Sequence, residues 1–119
     1  MSTTREIQLP SHPEEAASTL RVASREADVV VFKKSPICPV STRAEYEFKK
    51  WLDRLDADDT TRIAWIDVIA EKPLARGLTA ALGIEHQSPQ ALWFSNGELS
   101  WHDSHGALTQ GRFASANKA

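Results

Sequence analysis

The chain has 119 residues, of which 41% are hydrophobic and 25% charged, and its formal net charge is −2 at pH 7. This length predicts one domain that is long enough to bury a core. The 14 basic and 16 acidic residues argue against a nucleic-acid binder, which usually carries a basic excess on one face. The composition also excludes collagen-like and low-complexity chains.

The beginning of the chain lacks the apolar core that a secretory signal peptide needs. No apolar run is longer than that of residues 29–32, which is far too short to cross a membrane. We therefore expect a cytoplasmic protein that binds neither membranes nor nucleic acid. The polar residues 1–12 are expected to form a flexible leader, followed by a single domain over residues 13–119.

Helical and strand patterns alternate through the first half of the chain. Apolar residues recur at helical spacing over residues 14–27, and residues 28–32 are a β-branched run typical of a strand buried on both faces. Residues 33–37 are expected to form a loop. A second helix is predicted over residues 39–55, and a second buried strand over residues 62–68.

The second half predicts one more helix, a hairpin and a last helix. Pro73 opens the third helix. Residues 90–95 and 98–102 are strand patterns that flank Asn96-Gly97, a strong hairpin signal, and residues 106–117 form the last predicted helix. The order α-β-α-β-α-β-β-α predicts an α/β fold with a four-stranded mixed sheet flanked by helices, which is the thioredoxin-like arrangement.

Cys38 is the only cysteine, so the chain cannot form an internal disulfide. A lone thiol is either a small buried apolar group or a reactive thiolate. Cys38 lies where the first strand gives way to the second helix, and Pro39 suits the first helical position. The unpaired N–H groups and the dipole of a helix start favour a thiolate. Cys38 is therefore the predicted nucleophile, and Pro39 helps to stabilise its thiolate by opening the helix.

Positive charge surrounds the cysteine in the sequence. Lys33, Lys34 and Arg43 lie nearby, whereas residues 29–44 contain no carboxylate. Helix starts and neighbouring cations are the two features that depress the pKa of cysteines. We therefore expect Lys33 and Lys34 to stabilise the Cys38 thiolate.

Ser41 lies one turn along the same helix face, where a dithiol redox protein would carry its second cysteine. Serine can hydrogen-bond a thiolate and so stabilise it, but it cannot resolve a mixed disulfide. Exchange chemistry here must therefore be monothiol, with an external thiol completing the cycle. Ser41 can equally be a residue that only begins a helix, and both interpretations stay open.

The chain resembles one known family over residues from about 14 to 110, and four segments carry the resemblance. They are Phe32-Lys-Lys-Ser-Pro-Ile-Cys-Pro-Val-Ser41, His86-Gln-Ser-Pro-Gln90, Ala91-Leu-Trp-Phe94 with Asn96-Gly97, and Trp101-His-Asp-Ser-His105. In these segments the chain resembles the YtxJ-like monothiol bacilliredoxins of the thioredoxin superfamily. The resemblance implies that Cys38 removes bacillithiol from S-bacillithiolated proteins and receives the bacillithiol itself.

The resemblance also implies the partners and a substrate site. The partners would be S-thiolated client proteins and a low-molecular-weight thiol, with bacillithiol as co-substrate and no tightly bound cofactor. In thioredoxin-like folds the position of Pro89 holds a cis-proline facing the cysteine, so Ser88, Pro89 and Gln90 are expected to bind substrate. Pro89 can otherwise be a proline that simply precedes a strand.

Other functions use the same residues. A non-catalytic thioredoxin-fold stress or redox-sensor protein would have Cys38 only oxidised or capped, and a general monothiol disulfide reductase would act on other disulfides. His86, His102 and His105 together with Cys38 offer zinc-ligand chemistry, but they include no compact ligand pair. We therefore expect no metal site and leave the roles of the three histidines open.

Overall fold

The computed structural model describes residues 5–118, and its elements follow the predicted order. They are α1 (Pro13–Ala23), β1 (Val29–Lys34), α2 (Pro39–Asp53), β2 (Arg62–Asp67), α3 (Lys72–Leu82), β3 (Gln90–Ser95), β4 (Glu98–Ser104), a 3₁₀ turn (His105–Ala107) and α4 (Gln110–Lys118). None of the described helices is long and apolar enough to pass through a membrane.

The four strands form one mixed sheet in the order β2-β1-β3-β4. β1 pairs in parallel with β2, and this pairing requires a crossover, which α2 provides. β3 pairs antiparallel with both β1 and β4. Asn96 and Gly97 join β3 to β4 with φ of 55° and 83°, the two positive values that a type I′ hairpin needs. The predicted mixed sheet and hairpin are confirmed.

β1 is buried along its length, and its side chains alternate between two cores. Val31 packs with α1 and α3 on one face of the sheet. Phe32 packs with α2 and α4 on the other face. The same alternation sends Lys33 to the α1–α3 face and Lys34 to the α2 face, which decides what each lysine can contact.

An aromatic cluster holds α2 against the sheet. The ring of Phe48 is fully buried, and its centroid lies 4.9 Å from that of Phe32 and 5.7 Å from that of Trp51. Phe113 of α4 covers the same ring at 5.0 Å. Burying one such side chain contributes about 1.5–3 kcal/mol. The cluster therefore fixes α2, and with it the point where the helix begins.

Within the predicted leader over residues 1–12, Arg5–Ile7 pair with the edge of the sheet, and residues 1–4 lie outside the described residues. The N–H of Ile7 donates to the carbonyl of Ile63 at 2.9 Å, and the N–H of Ile63 donates to the carbonyl of Arg5 at 2.9 Å. The guanidinium of Arg5 donates to the carbonyls of Asp59 at 2.7 Å and Thr61 at 3.1 Å. β2 lies at the edge of the sheet, and Arg5–Ile7 satisfy backbone groups that would otherwise be unpaired there.

α1 ends at Ala23, although its apolar pattern continues to Ala27. Ser24 follows with its N–H donating to the carbonyl of Leu20 at 2.9 Å. Its hydroxyl accepts the N–H of Gly97 at 3.1 Å and so ties the end of α1 to the β3–β4 turn. The bond from Gly97 to Ser24 therefore lies at the point where α1 ends, and the apolar periodicity of the sequence gives no sign of it.

Candidate functional site

Cys38 is the N-cap residue of α2, with φ −105° and ψ 120°, and the predicted position of the thiol at the helix start is confirmed. Pro39 begins the helix, and the N–H of Thr42 donates to the carbonyl of Cys38 at 3.0 Å. The side chain of Cys38 makes no capping hydrogen bond and is half-buried. The first turn of α2 contains no acidic residue. Cys38 therefore lies at the positive end of a helix and is partly exposed.

Cys38 faces a cleft of about 610 Å³ formed by three separate segments of the chain. The strand-to-helix turn, the region from the end of β2 into α3, and the loop before β3 each contribute to it. The lining residues are Ser35, Cys38, Val68, Ile69, Lys72, Arg76, His86 and Ser88. The cleft therefore brings the predicted nucleophile and one predicted substrate-binding residue, Ser88, into one site.

The Ser88–Pro89 peptide bond is cis, and Pro89 is buried directly before β3. The hydroxyl oxygen of Ser88 is buried and has no hydrogen-bond partner among the described residues. Buried hydroxyl groups are nearly always hydrogen-bonded, so the unpartnered hydroxyl of Ser88 is an exception, and it belongs to a residue that lines the cleft.

Ser41 is fully buried, and its hydroxyl oxygen accepts the N–H of Ser35 at 2.7 Å. This bond closes the turn that carries Cys38. Within residues 5–118, no hydrogen bond joins Ser41 to Cys38. The structure therefore shows Ser41 holding the turn, and a bond from its hydroxyl to the thiolate stays a prediction.

Lys33 belongs to β1 rather than to the predicted loop, and this corrects its expected surroundings. Its side chain is fully buried, its ammonium donates to Gln90 Oε1 at 2.7 Å, and its Nζ lies 2.7 Å from His86 Nδ1. Burial, followed by the positive charge of Arg76, lowers the pKa of Lys33 from 10.5 to about 7. Lys33 does not line the cleft but contacts His86 and Gln90, and its stabilisation of the Cys38 thiolate stays a prediction.

Lys34 lies on the opposite face of β1. Its Nζ is 3.8 Å from Glu45 Oε2 and 5.3 Å from the centroid of the Trp65 ring. Glu45 is the first carboxylate after the carboxylate-free stretch of the sequence, and the helix brings it back towards this lysine. Lys34 therefore forms an ion pair with Glu45, and it is not among the residues that line the cleft.

Gln90 positions the loop before β3 and does not line the cleft. Its side chain is 1% exposed. Its Oε1 accepts both the Lys33 ammonium and the N–H of Gln87, the latter at 3.2 Å, and its Nε2 donates to the carbonyl of Glu85 at 3.0 Å. These bonds hold the Gln90 side chain inside the protein, and the part of Gln90 in substrate binding stays a prediction.

His86 is the histidine that the structure brings to the cleft. Burial, followed by the charges of Lys33 and Arg76, lowers the pKa of His86, so its imidazole is neutral near pH 7. With Nδ1 accepting from Lys33, the ring proton is assigned to Nε2.

His102 is exposed on β4, and Nε2 of His105 lies 2.8 Å from Gln87 Oε1. In the described part of the chain, no three His, Cys, Asp or Glu side chains are grouped to hold a metal ion.

The two cations that line the cleft, Lys72 and Arg76, are residues that the sequence analysis missed. They lie four positions apart on α3 and so share one face of that helix. Their spacing shows that they point the same way. Nothing in the sequence says that this face meets Cys38, because that contact depends on how α3 packs on the sheet.

The lowered pKa of Lys33 predicts a pH-dependent stability. Between about pH 7 and 10.5 the unfolded chain retains a proton on Lys33 that the folded protein has released. Because the unfolded state binds more protons there, the free energy of unfolding rises with pH, by at most about 1.4 kcal/mol per pH unit from this group.

The measurement is urea denaturation of wild type and Lys33→Met from pH 6 to 9.5. We expect the stability difference to shift in favour of the wild type as the pH rises above 7. Stability curves that stay parallel across this range would show that Lys33 is not perturbed.

Comparisons with known proteins agree with this architecture. Residues 11–113 match the family described as monothiol bacilliredoxin BrxC. A solved structure described as a proposed oxidoreductase with a thioredoxin fold is 29% identical, covers 93% of this chain and 92% of its own, and superposes with a TM-score of 0.73. A mutant thioredoxin from Halobacterium salinarum is 13% identical, with 99% and 94% of the two chains covered and a TM-score of 0.67.

Thioredoxin from Fasciola hepatica is 10% identical, with 94% and 97% of the two chains covered and a TM-score of 0.67. At such identities the likeness to the two thioredoxins concerns the fold alone, and the predicted thioredoxin-like fold is confirmed. The family match, which extends from before α1 into α4, supports a thiol–disulfide redox function. The chain belongs to the monothiol bacilliredoxin family.

Proposed function

We propose that this protein removes bacillithiol from S-bacillithiolated client proteins in the cytoplasm by exchange at Cys38. The main supporting observation is that Cys38, a half-buried residue at the N-cap of α2, lines a cleft that Ser88 also lines. A thiolate is the nucleophile of such exchange, and a helix start favours that form.

The first step is attack of the Cys38 thiolate on the bacillithiol sulfur of a modified client. The disulfide of the client breaks, a new disulfide forms between Cys38 and bacillithiol, and the client sulfur leaves as a thiolate. The client thiolate then takes a proton from solvent. The client is thereby reduced, and Cys38 is oxidised to a mixed disulfide.

The second step returns Cys38 to its reduced form. The thiolate of a second low-molecular-weight thiol attacks the bacillithiol sulfur bound to Cys38, so that Cys38 leaves as a thiolate and a small-molecule disulfide is released. Ser41 has no sulfur with which to perform this step inside the protein. The monothiol cycle therefore needs an external thiol.

The residues around Cys38 have separable roles in this proposal. Pro39 opens the helix whose N–H groups favour the thiolate, and Ser41 holds the turn through Ser35. The free hydroxyl of Ser88 and the backbone next to Pro89 bind the incoming disulfide. Lys33 and Gln90 fix the loop that presents Ser88.

A multiple-turnover assay tests the function against a sensor role. A large excess of a bacillithiolated client is mixed with the protein and with free bacillithiol, and the release of client thiol is followed. We expect the protein to clear many equivalents of client. Release that stops after one equivalent would favour a protein that is only capped at Cys38 and would contradict catalysis.

A competition assay tests the thiol. Bacillithiol, glutathione and coenzyme A mixed disulfides of one client are offered together, and the disappearance of each modified form of the client is followed by intact mass. We expect bacillithiol to be removed fastest. Equal rates for all three would indicate a general monothiol disulfide reductase.

A further inference from the structure

The cleft at Cys38 is positively charged on one side, and α3 supplies that charge. Lys72 and Arg76 line the cleft, and both are exposed. The positive charge of Arg76 also acts on the residues behind the cleft, since it contributes to the lowered pKa values of Lys33 and His86. This half of the cleft is therefore suited to an anionic group.

No carboxylate neutralises these two cations within the described residues. The eight residues that line the cleft include no Asp or Glu. Over residues 5–118, no ion pair within 4.0 Å involves Lys72 or Arg76. The acidic side chains beside the start of α3 are engaged elsewhere, since Asp67 accepts the N–H groups of Ile69 and Ala70 and Glu71 accepts that of Asp67.

A second observation points to a ligand in the same cleft. The hydroxyl of Ser88 is buried and unpartnered, whereas His86 is anchored through Nδ1 to Lys33. Val68 and Ile69 lie among the lining residues and provide an apolar wall. The cleft thus combines a nucleophilic sulfur, a free hydroxyl, an apolar wall and two unpaired cations.

We infer that Lys72 and Arg76 form a carboxylate-binding subsite that selects low-molecular-weight thiols bearing acidic groups. This inference rests on the proposed exchange at Cys38 and names its substrate class. While Cys38 receives the sulfur, the acidic end of the same small molecule is bound at α3. The two cations also offset the repulsion between an acidic thiol and the Cys38 thiolate.

The test uses three defined probes that differ in charge. They are mixed disulfides of 2-thiopyridine with mercaptosuccinate, which is dianionic, with 2-mercaptoethanol, which is neutral, and with cysteamine, which is cationic. The rate at which Cys38 acquires each thiol is measured by intact mass. Each rate is divided by the rate of N-acetylcysteine amide with the same probe, which removes intrinsic differences in reactivity.

The variants are Lys72→Gln/Arg76→Gln and, as a matched control, Lys50→Gln/Arg54→Gln. The control removes the same charge from the exposed far end of α2. We expect the α3 variant to lose about tenfold of its normalised rate with the mercaptosuccinate probe, because two surface ion pairs contribute together about that factor. Its rate with the neutral probe and the rates of the control should change by less than about twofold.

The outcomes separate the subsite from the proposed exchange. If the wild type reacts with all three probes at equal normalised rates, or if both double variants lose the same factor, the subsite is overturned and the exchange at Cys38 survives. If no probe modifies Cys38 at all, the proposed exchange fails and the subsite fails with it. A loss confined to the mercaptosuccinate probe and to the α3 variant supports the inference.

Discussion

Replacing Cys38 with serine is expected to reduce the removal of bacillithiol from clients to the background rate. A hydroxyl is a far weaker nucleophile than a thiolate and cannot carry a sulfur as a disulfide, so both steps of the cycle are lost. We expect a fall of at least about 1000-fold, measured as client thiol released per unit time.

The fold should survive this substitution. The Cys38 side chain is half-buried and makes no capping hydrogen bond, so serine removes no bond and leaves no cavity. We expect the free energy of unfolding to change by about 0.5 kcal/mol or less in urea denaturation. Residual exchange in a folded Cys38→Ser protein would mean that another group carries the activity.

Replacing Ser41 with cysteine is expected to convert the monothiol cycle into a dithiol cycle. Residues three apart at a helix start have Cβ atoms about 5–6 Å apart, within reach of small adjustments to a disulfide. The new thiolate should attack the mixed disulfide at Cys38 and release the small thiol. The product is an internal disulfide, which intact mass shows as a species without the adduct and two hydrogens lighter than the reduced protein.

The matched control for this change is Val40→Cys, which places a sulfur two residues from Cys38 on another side of the helix. We expect its mixed disulfide at Cys38 to persist until an external thiol is added. Ser41→Cys gives up the hydrogen bond from Ser35, at a cost of about 1 kcal/mol, and should remain folded. A mixed disulfide equally persistent in both variants would contradict the geometry described here.

The sequence predicted the fold and the place of the thiol because both depend on local patterns. The buried-strand pattern, the helix-opening Pro39 and the Asn96-Gly97 turn each specify a local conformation, and all three occur where predicted. The position of Cys38 follows from two of them, since it lies between a strand and a proline that begins a helix.

The surroundings of the thiol were predicted less well, because they depend on packing between distant segments. The charge of Lys33 indicated a loop, yet the strand continues because His86 and Gln90, more than fifty residues away, satisfy its buried ammonium. The cations on α3 reach the cleft only through the packing of that helix. The lysine pattern therefore predicted positive charge near Cys38 but could not show that Lys72 and Arg76 also line the cleft.

The most direct test of the account is a single-turnover experiment by intact mass. One equivalent of a bacillithiolated client is mixed with the reduced protein, and both masses are followed in time with peptide mapping of Cys38. We expect the mass of bacillithiol to leave the client and appear on Cys38 at the same rate, with free client thiol formed in equal amount. A client joined covalently to Cys38, or a client that loses bacillithiol while Cys38 stays unmodified, would contradict exchange at this sulfur.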